Sequence, residues 1–564
     1  MLQSKLFYKT LKEKPKDEEA INAQLLVRAG FVDKVAAGIY SYLPLGYRVL
    51  QKIVNIIRQE MNAINAQEIL MPAMHPKELW TTTCRWDTMS VLFKIKGTGD
   101  KEFALGPTHE EIVTPLATKV ILSYKDLPMA VYQIQTKFRN EARSKSGLLR
   151  GREFSMKDLY SFHQDEKDLE KYYQLVEKAY QKIIKRLGLQ HITLKVYASG
   201  GDFSKYSHEY QILCQAGEDT IFIVKSRNLA FNKEIAPSRA AKFDNSNEKL
   251  ESMREVKGIG IVGVVELSSF LKIPVEKTTK TILFENEKGE IIAAAVRGDY
   301  EINELKLAEI SGAKELKLAS EEKVRKVTGA ELGYAGILNL PRNVKIFIDD
   351  SMQGRLNFEC GANRTNYHTL NVNFGRDLPQ PKKFYDIKLA KPGDFYPETG
   401  EKYEVRNAIE IANIFKLNTK FSQAFKFTYK DKKGKQQPVF MGCYGFGPSR
   451  TLGTLVEIFH DEKGIIWPEA VAPFKYHLIN LSEKAKVKKQ ADEIYKKILD
   501  SGQEILYDDR QDISPGEKLV EADLIGIPYR LVTSDKTNGQ IEVKKRSQEQ
   551  IKLMSADKFL SKML

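Results

Sequence analysis

A chain of 564 residues exceeds what one hydrophobic core usually organises, so three or four domains are expected. With 42% hydrophobic and 29% charged residues it reads as globular; no apolar run reaches the length of a membrane span, and residues 1–20 mix Lys, Glu and Asp too freely for a secretory leader, so a cytoplasmic protein without membrane contact is expected. The net charge of +14 suits a polyanionic partner as well as a lysine-rich solvated surface, and the cysteines Cys84, Cys214, Cys360 and Cys443 are too dispersed for a disulfide framework or a zinc-ligand pattern.

From Leu45 to Ile64 the apolar residues Val49, Leu50, Ile53, Val54, Ile57, Met61 and Ile64 recur at helical spacing. The following Gln67 to Met71 reads as a strand that Pro72 terminates. Between Ala130 and Glu141, Tyr132, Ile134, Thr136 and Phe138 alternate with Gln133, Gln135, Lys137, Arg139 and Glu141, the period of a strand with one polar face. A loop over Ala142 to Gly151 leads to a second strand from Arg152 to Tyr160, which makes an antiparallel hairpin. Its basic residues, Lys137, Arg139, Arg143, Lys145, Arg150, Arg152 and Lys157, outnumber Glu141, Glu153 and Asp158, as a polyphosphate or RNA platform requires. Asp165 to Leu187 is helical in pattern, and the polar stretch Arg227 to Glu251 marks a boundary.

Gly258 to about Asp377 alternates β-rich runs, Thr281 to Phe284 and Val344 to Ile348, with helical ones such as Ile302 to Ala308, as an independent α/β or α+β domain does. Val439 to Gly447 returns to strand, and Pro448-Ser449-Arg450 opens a helix at whose first turn a proline costs no hydrogen bond. From Val471 the pattern alternates again: strands at Tyr476 to Leu481, Glu504 to Tyr507, Tyr529 to Val532 and Ile541 to Val543, with helices up to Leu499 and over Gly516 to Leu524. A partly parallel α/β module is expected.

Three separated strings fit one chemistry: the strand ending at Pro72, the hairpin from Phe138-Arg139-Asn140-Glu141 to Arg152-Glu153-Phe154, and Gly445-Phe446-Gly447-Pro448-Ser449-Arg450. In order and context they resemble motifs 1, 2 and 3 of class II aminoacyl-tRNA synthetases. Gly106-Pro107-Thr108-His109-Glu110-Glu111, Arg152 to Asp158 with Tyr160-Ser161-Phe162-His163, and Met441-Gly442-Cys443-Tyr444-Gly445 are similar to the prolyl member of the class in its bacterial form. The likeness implies a multidomain α/β and α+β chain: an antiparallel class II catalytic sheet in 1–226 and 381–470, an inserted α/β editing domain in 227–380, and an α/β anticodon-binding domain in 471–564.

The same likeness implies proline, ATP and tRNA(Pro) as substrates, magnesium with the ATP, and a homodimer with Pro72 near its interface. Arg139 and Arg450 are the implied catalytic groups. A guanidinium at Arg139 can bridge two oxyanions, the proline carboxylate and the α-phosphate, with a salt bridge to Glu141 as its plain structural alternative. Phe154 and Arg450 would sandwich adenine, Glu141 would accept from its amino group, Arg152 would hold ATP, and Gly445 and Gly447, with Gly442, would let backbone approach it. Thr108 and Glu110, with His163, would hold proline; without the likeness, Thr108 to Glu111 reads as a helix start with acidic first-turn residues. No carboxylate cage for magnesium is legible, and Glu404 is only one acid among several.

In the insertion, Lys280, Asp350 and His368 are the implied editing residues, and Ile337 and Asn339 depart from the family's loop. Ala412, Asn413, Lys416 and Asn418 depart from it near the proline pocket. Asp523, Lys544 and Arg546 are candidates for reading anticodon bases, or else the solvated face of a strand. Two rival functions are a synthetase for threonine, serine or glycine and a synthetase-derived RNA-binding or regulatory protein; the intact Arg139, Glu141, Phe154 and Arg450 count against the latter.

Overall fold

The structure is a computed structural model that describes residues 1–561 other than Arg143, Lys145, Asp202, Lys205 and Ser246. The chain forms two compact units, one from residues 1–195, 200–218 and 407–564, the other from residues 196–199 and 219–406.

In the first unit a sheet runs in the order Tyr206–Leu213, Glu404–Asn418, Phe440–Phe446, Glu153–His163, Met129–Phe138, Gln67–Glu68. All neighbours are antiparallel except the last pair. Three helices cover one face: Pro44–Asn62, Glu166–Arg186 and Pro448–Ile458. Their apolar stripes (Val49, Ile53 and Ile57; Val176, Tyr180 and Ile183; Leu452, Leu455 and Val456) share one buried cluster with Leu159 and Tyr444 from the sheet. Local signals agree with that packing. Pro44 and Pro448 occupy the first turns of their helices, and Asp165 caps the third by accepting from the Asp168 amide at 2.8 Å.

The strand expected over Gln67 to Met71 keeps ladder form only at Gln67–Glu68. Ile69 still donates to the Tyr132 carbonyl, but the Met71 amide turns to the side-chain oxygen of Gln133 at 3.0 Å. A side chain thus replaces the backbone partner at the residue just before Pro72.

The C-terminal module has the partly parallel sheet its pattern predicts: Ile505–Asp508, Tyr476–Asn480 and Tyr529–Thr533 are parallel, and Ile541–Lys545 and Ile551–Met554 follow antiparallel. The module meets the rest of its unit across a backbone-to-backbone contact. A Cβ on Gly464 would come within 2.3 Å of the Leu524 Cα, and one on Gly526, at φ +80°, within 2.1 Å of the Ile465 carbonyl. Arg546 closes this seam, its fork reaching Asp461 at 2.8 and 2.6 Å.

The second unit holds a mixed sheet ordered Leu316–Leu318, Thr279–Asn286, Ile291–Arg297, Lys345–Ile348 and an antiparallel one ordered Arg254–Lys257, Tyr367–Val372, Phe358–Gly361. Helices Val264–Leu271, Glu304–Ser311 and Glu321–Thr328 complete it, as the alternation after Gly258 predicts.

The Arg546 hydrogen bonds hold the Asp461 carboxyl down at about 2. A depressed folded-state pKa stabilises above the unfolded carboxylate's ordinary ~4 and is lost as pH falls through the folded value. Asp461→Asn is expected to weaken the fold by about 1 kcal/mol at pH 7, a partly exposed pair being worth no more, with wild type and variant converging as pH falls toward 2. Urea titrations across that range check it.

Candidate active site

One register row crosses the face of the sheet opposite those three helices: Glu209, Asn413, Gly445, Asp158 and Gln133 stand opposite one another on five adjacent strands. Gly445 leaves the middle of the row without a side chain, and a cavity of about 190 Å³ opens there, lined among others by Thr108, Arg139, Phe154, Asn413, Cys443 and Arg450.

Beneath it lies a buried charge pair. Lys137 Nζ is 2.8 Å from Asp158 Oδ1, and both side chains are excluded from solvent. The ammonium also donates to His109 Nδ1 at 2.7 Å, so the imidazole is neutral there and its Nε2 donates to the Pro72 carbonyl at 3.1 Å. Burial, with Lys137 second, lowers the His109 pKa. Gln133 Nε2 and the Tyr160 hydroxyl donate to the second Asp158 oxygen at 3.0 and 2.9 Å. Tyr160 in turn accepts from the His109 amide at 3.0 Å. These bonds fasten the 106–111 segment to the hairpin.

At one end of the cavity Thr108 and Cys443 both donate to Glu110, at 2.6 and 3.1 Å. Glu110 opens the helix Glu110–Ala117, where the helix dipole favours a carboxylate; it is fully buried, its donors Thr108 and Cys443 rather than Glu110 itself line the cavity, and it lies 3.5 Å from the Arg85 guanidinium. Thr108 does not cap that helix; its hydroxyl is spent on Glu110. At the other end Arg450 is held by Glu410, which accepts through its carbonyl at 2.9 Å and its carboxylate at 3.0 Å. Between the ends lies Arg139, its guanidinium 5.2 Å from the centre of the Phe154 ring. Its one hydrogen bond, to the Pro107 carbonyl, is long at 3.4 Å, and its buried Nε has no partner. Burial, and secondly Arg450, push its pKa below the ordinary arginine value. A cation so placed is an anion receptor.

Several expectations need correction. The structural alternative for Arg139, a salt bridge to Glu141, is not formed, but neither is Glu141 free: its carboxylate is taken by Arg150 at 2.8 and 3.0 Å, and Arg152 donates to the Glu141 carbonyl at 3.1 Å. None of Glu141, Arg150 and Arg152 lines the cavity. Of the basic residues expected to form a platform on the hairpin, Lys137 and Lys157 are buried instead, while Arg143 and Lys145 lie outside the described residues. Lys157 donates to the Tyr180 hydroxyl and the Tyr444 carbonyl, and burial pulls its pKa down to about 7. His163 is on the wrong face. Phe154, Met156 and Asp158 share the cavity side of their strand, and an odd-numbered neighbour must point to the helical layer. There it meets Asp168 at 2.9 Å and Ser161 at 2.8 Å. Glu404 is tied to Lys225 and Arg406, both at 2.7 Å.

Gly447, which also lines the cavity, caps the Pro448–Ile458 helix. Asn418 sits at φ +50° beside a strand irregularity, a conformation that asparagine tolerates well. Pro72 is exposed, between Leu70 (77% exposed) and Met74 (52%).

The second unit has its own cavity, of about 560 Å³, lined by Lys280 and His368 but not by Asp350. Asp350 instead pairs with Lys388 at 2.6 Å, so its placement with the other two is corrected. Ile337 is buried in the core behind Cys360 and Met352, and Asn339 takes φ +52°. In the C-terminal module Arg546 is committed to Asp461, which removes it from base reading; Asp523 pairs with Arg530 at 3.1 Å, and Lys544 lies 3.5 Å from Glu549.

Residues 93–459 match the family model "tRNA synthetase class II core domain (G, H, P, S and T)", and residues 475–564 match "Anticodon binding domain". Antiparallel sheet, arginine-bearing hairpin and glycine-rich strand leading to Arg450 are those of a class II aminoacyl-tRNA synthetase. The chain is 42% identical to the proline--tRNA ligase of Persephonella marina, covering 100% of both chains, and 41% identical to that of Moorella thermoacetica, covering 98% of this chain and 96% of the relative. It belongs to the proline--tRNA ligase family. Among solved structures, Giardia lamblia prolyl-tRNA synthetase in complex with prolyl-adenylate shares the fold at a TM-score of 0.57 and 15% identity, over 95% of this chain and 74% of that one.

Removing one member of the buried pair strands the other. Lys137→Met is expected to cost about 3–5 kcal/mol of stability, and the double change Lys137→Met with Asp158→Leu to cost less than the single one. Urea unfolding of both variants tests the order.

Proposed function

We propose that the chain activates proline with ATP and transfers it to the 3′ end of tRNA(Pro). The observation that carries the reading is Arg139, a buried and under-satisfied guanidinium on the wall of a cavity that Thr108 and Cys443, the two donors to Glu110, line together with Phe154 and Arg450. Glu110, with Thr108, receives the secondary ammonium of proline, since a buried carboxylate is its natural partner. Phe154 and Arg450 receive adenine between a ring and a planar cation. Arg139 then meets both the proline carboxylate and the α-phosphate, and offsets the repulsion between two anions that must touch.

A carboxylate oxygen of proline attacks the α-phosphorus, the bond to the bridging oxygen breaks, and pyrophosphate leaves with its electron pair. A ribose hydroxyl of the tRNA's terminal nucleotide next attacks the prolyl carbonyl, and AMP departs. Magnesium, when bound, would neutralise phosphate charge; Glu410, the cavity carboxylate not engaged by the Lys137 pair, would hold it while still paired with Arg450, as Mg²⁺ is ordinarily bound by one or two carboxylates together with substrate phosphates.

The domain reading is part of the proposal: catalytic residues in 1–226 and 381–470, an editing insertion in 227–380 and anticodon binding in 471–564. The exposed Leu70, Pro72 and Met74 support a homodimer interface there, and the absence of a helix long and apolar enough to cross a membrane, among the described residues, is compatible with the cytoplasm. The 560 Å³ cavity with Lys280 on its wall supports hydrolysis of mischarged Ala-tRNA(Pro).

Proline-dependent ATP–pyrophosphate exchange, with alanine, threonine, serine and glycine for comparison, tests the central step. Exchange only with another amino acid would reassign the pocket. Arg139→Ala is expected to lower exchange on the order of 10²–10³-fold with the fold intact by circular dichroism. Lys280→Ala is expected to slow hydrolysis of Ala-tRNA(Pro) and leave exchange unchanged; equal hydrolysis by parent and variant would mark the insertion as inert.

A further inference from the structure

His368 lines the insertion cavity with both ring nitrogens already engaged. Nδ1 is 3.0 Å from Glu359 Oε1, and Nε2 is 2.9 Å from the carbonyl oxygen of Ile261. Both partners are acceptors only. A neutral imidazole would turn a lone pair toward one of them, so the arrangement fits the imidazolium, which donates at both nitrogens. Glu359 is itself fixed: it is 1% exposed, and its other oxygen accepts from the Thr279 amide at 3.1 Å.

The ring therefore spans two parts of the cavity wall, the Phe358–Gly361 strand that carries Glu359 and the 258–263 loop that carries Ile261. That loop supplies Val262 and Gly263 to the cavity lining and leads into the Val264–Leu271 helix, which lines it further. Val262 lies against Gly333, where any Cβ would meet it at 2.5 Å, so the loop has little room to shift inward. His368 has neither a free lone pair to take a proton from water nor a free N–H to give a substrate.

We propose that Glu359 is a positioning residue for the insertion cavity, holding His368 as a doubly donating clamp on the 258–263 loop, and that His368 is not the base of the hydrolysis. The inference rests on the editing reading for its functional consequence, but the clamp itself does not. The groups facing the ring are Glu359, the Ile261 carbonyl and the Tyr334 ring at 5.6 Å; Lys280 and Glu266 line the same cavity. Burial pulls the His368 pKa down, and the hydrogen bond and charge of Glu359 more than reverse it, leaving it raised. The clamp is thus present at low pH and is lost as pH rises through that raised value.

The test uses the full chain. Deuterium exchange at histidine C2, read by mass spectrometry, gives the His368 titration; amide exchange of peptides covering 258–263 gives the loop; and hydrolysis of Ala-tRNA(Pro) against pH gives the function. The wild type is expected to titrate above the ordinary histidine midpoint, with loop exchange rising and hydrolysis falling over the same interval. Glu359→Gln, nearly isosteric, is expected to move all three down by about 1–3 pH units, the usual effect of removing an adjacent opposite charge. The clamp is overturned if wild-type His368 titrates below the ordinary midpoint, a reading that needs no variant. It also fails if Glu359→Gln leaves titration and loop exchange unmoved, or if hydrolysis rises with pH through the His368 midpoint. Should no hydrolysis occur at any pH while both exchange readouts behave as expected, the clamp stands and the editing reading falls.

Discussion

Asp158 and Lys137 face each other with no water between them, and the arrangement of the first unit's cavity follows from the need to satisfy both. An isolated charge in that position would cost several kcal/mol. The carboxylate draws in Gln133, Tyr160 and the ammonium, and the ammonium draws in His109. Each partner commits another chain segment. Gln133 also accepts from the Met71 amide, and His109 also donates to the Pro72 carbonyl, so the chain following the Gln67–Glu68 strand is pinned to the hairpin by side chains. His109 in turn fixes the start of the Glu110–Ala117 helix, which sets Glu110 under Thr108 and Cys443. Glu110, the acid proposed to meet the amino acid, is therefore positioned by a charge pair it does not touch.

The same economy explains what stays unsatisfied. Nearly every buried polar group around the cavity has a protein partner, yet Arg139 keeps a bare Nε and Asn413 a bare amide oxygen. The Asn413 amide nitrogen donates to Glu209 at 3.2 Å, which can only accept, so the oxygen's direction is settled by its neighbour. Unpaired groups in a saturated surrounding are costly, and their persistence on a cavity wall marks where a ligand's own polar atoms complete the count.

Much of this was legible in the sequence. Period-two alternation over 130–141 and the helical stripes at 45–64 and 165–187 are local signals; the stripes become helices, and the alternation becomes the strand Met129–Phe138, which stops before Arg139 and Glu141. The strings around Arg139, Phe154 and Arg450 meet at one cavity because they sit on neighbouring strands or at a strand's end. What escaped was which polar residues are inside. Lys137 and Lys157 count as surface charge in any composition argument, but lie in the interior because acceptors from distant segments await them. His163 fails by parity alone, a constraint visible in its spacing from Asp158 once the cavity face is known. Arg546 and Asp350 share one reason: the sequence shows a charged side chain but not its partner, which the fold supplies as Asp461 and Lys388.

On the proposed function the two cavities answer different physical problems. Around Arg139 the demand is electrostatic: anions must be brought together, and cations fixed in a dry site do it without reorganising. That pocket can measure an amino acid only by contact, and a side chain smaller than the intended one still enters, losing only about 1–3 kcal/mol for each missing methylene. Discrimination against alanine is therefore limited in the first unit however well Glu110 and Arg139 are placed. On the editing reading, the second cavity escapes the limit by sorting on the opposite criterion, admitting what is small. Its walls must then keep their spacing, and a loop fixed from one side by the Gly333 contact and from the other by an imidazolium joined to Glu359 is suited to that. On the proposed function, rigidity in the insertion does for specificity what charge in the first unit does for rate.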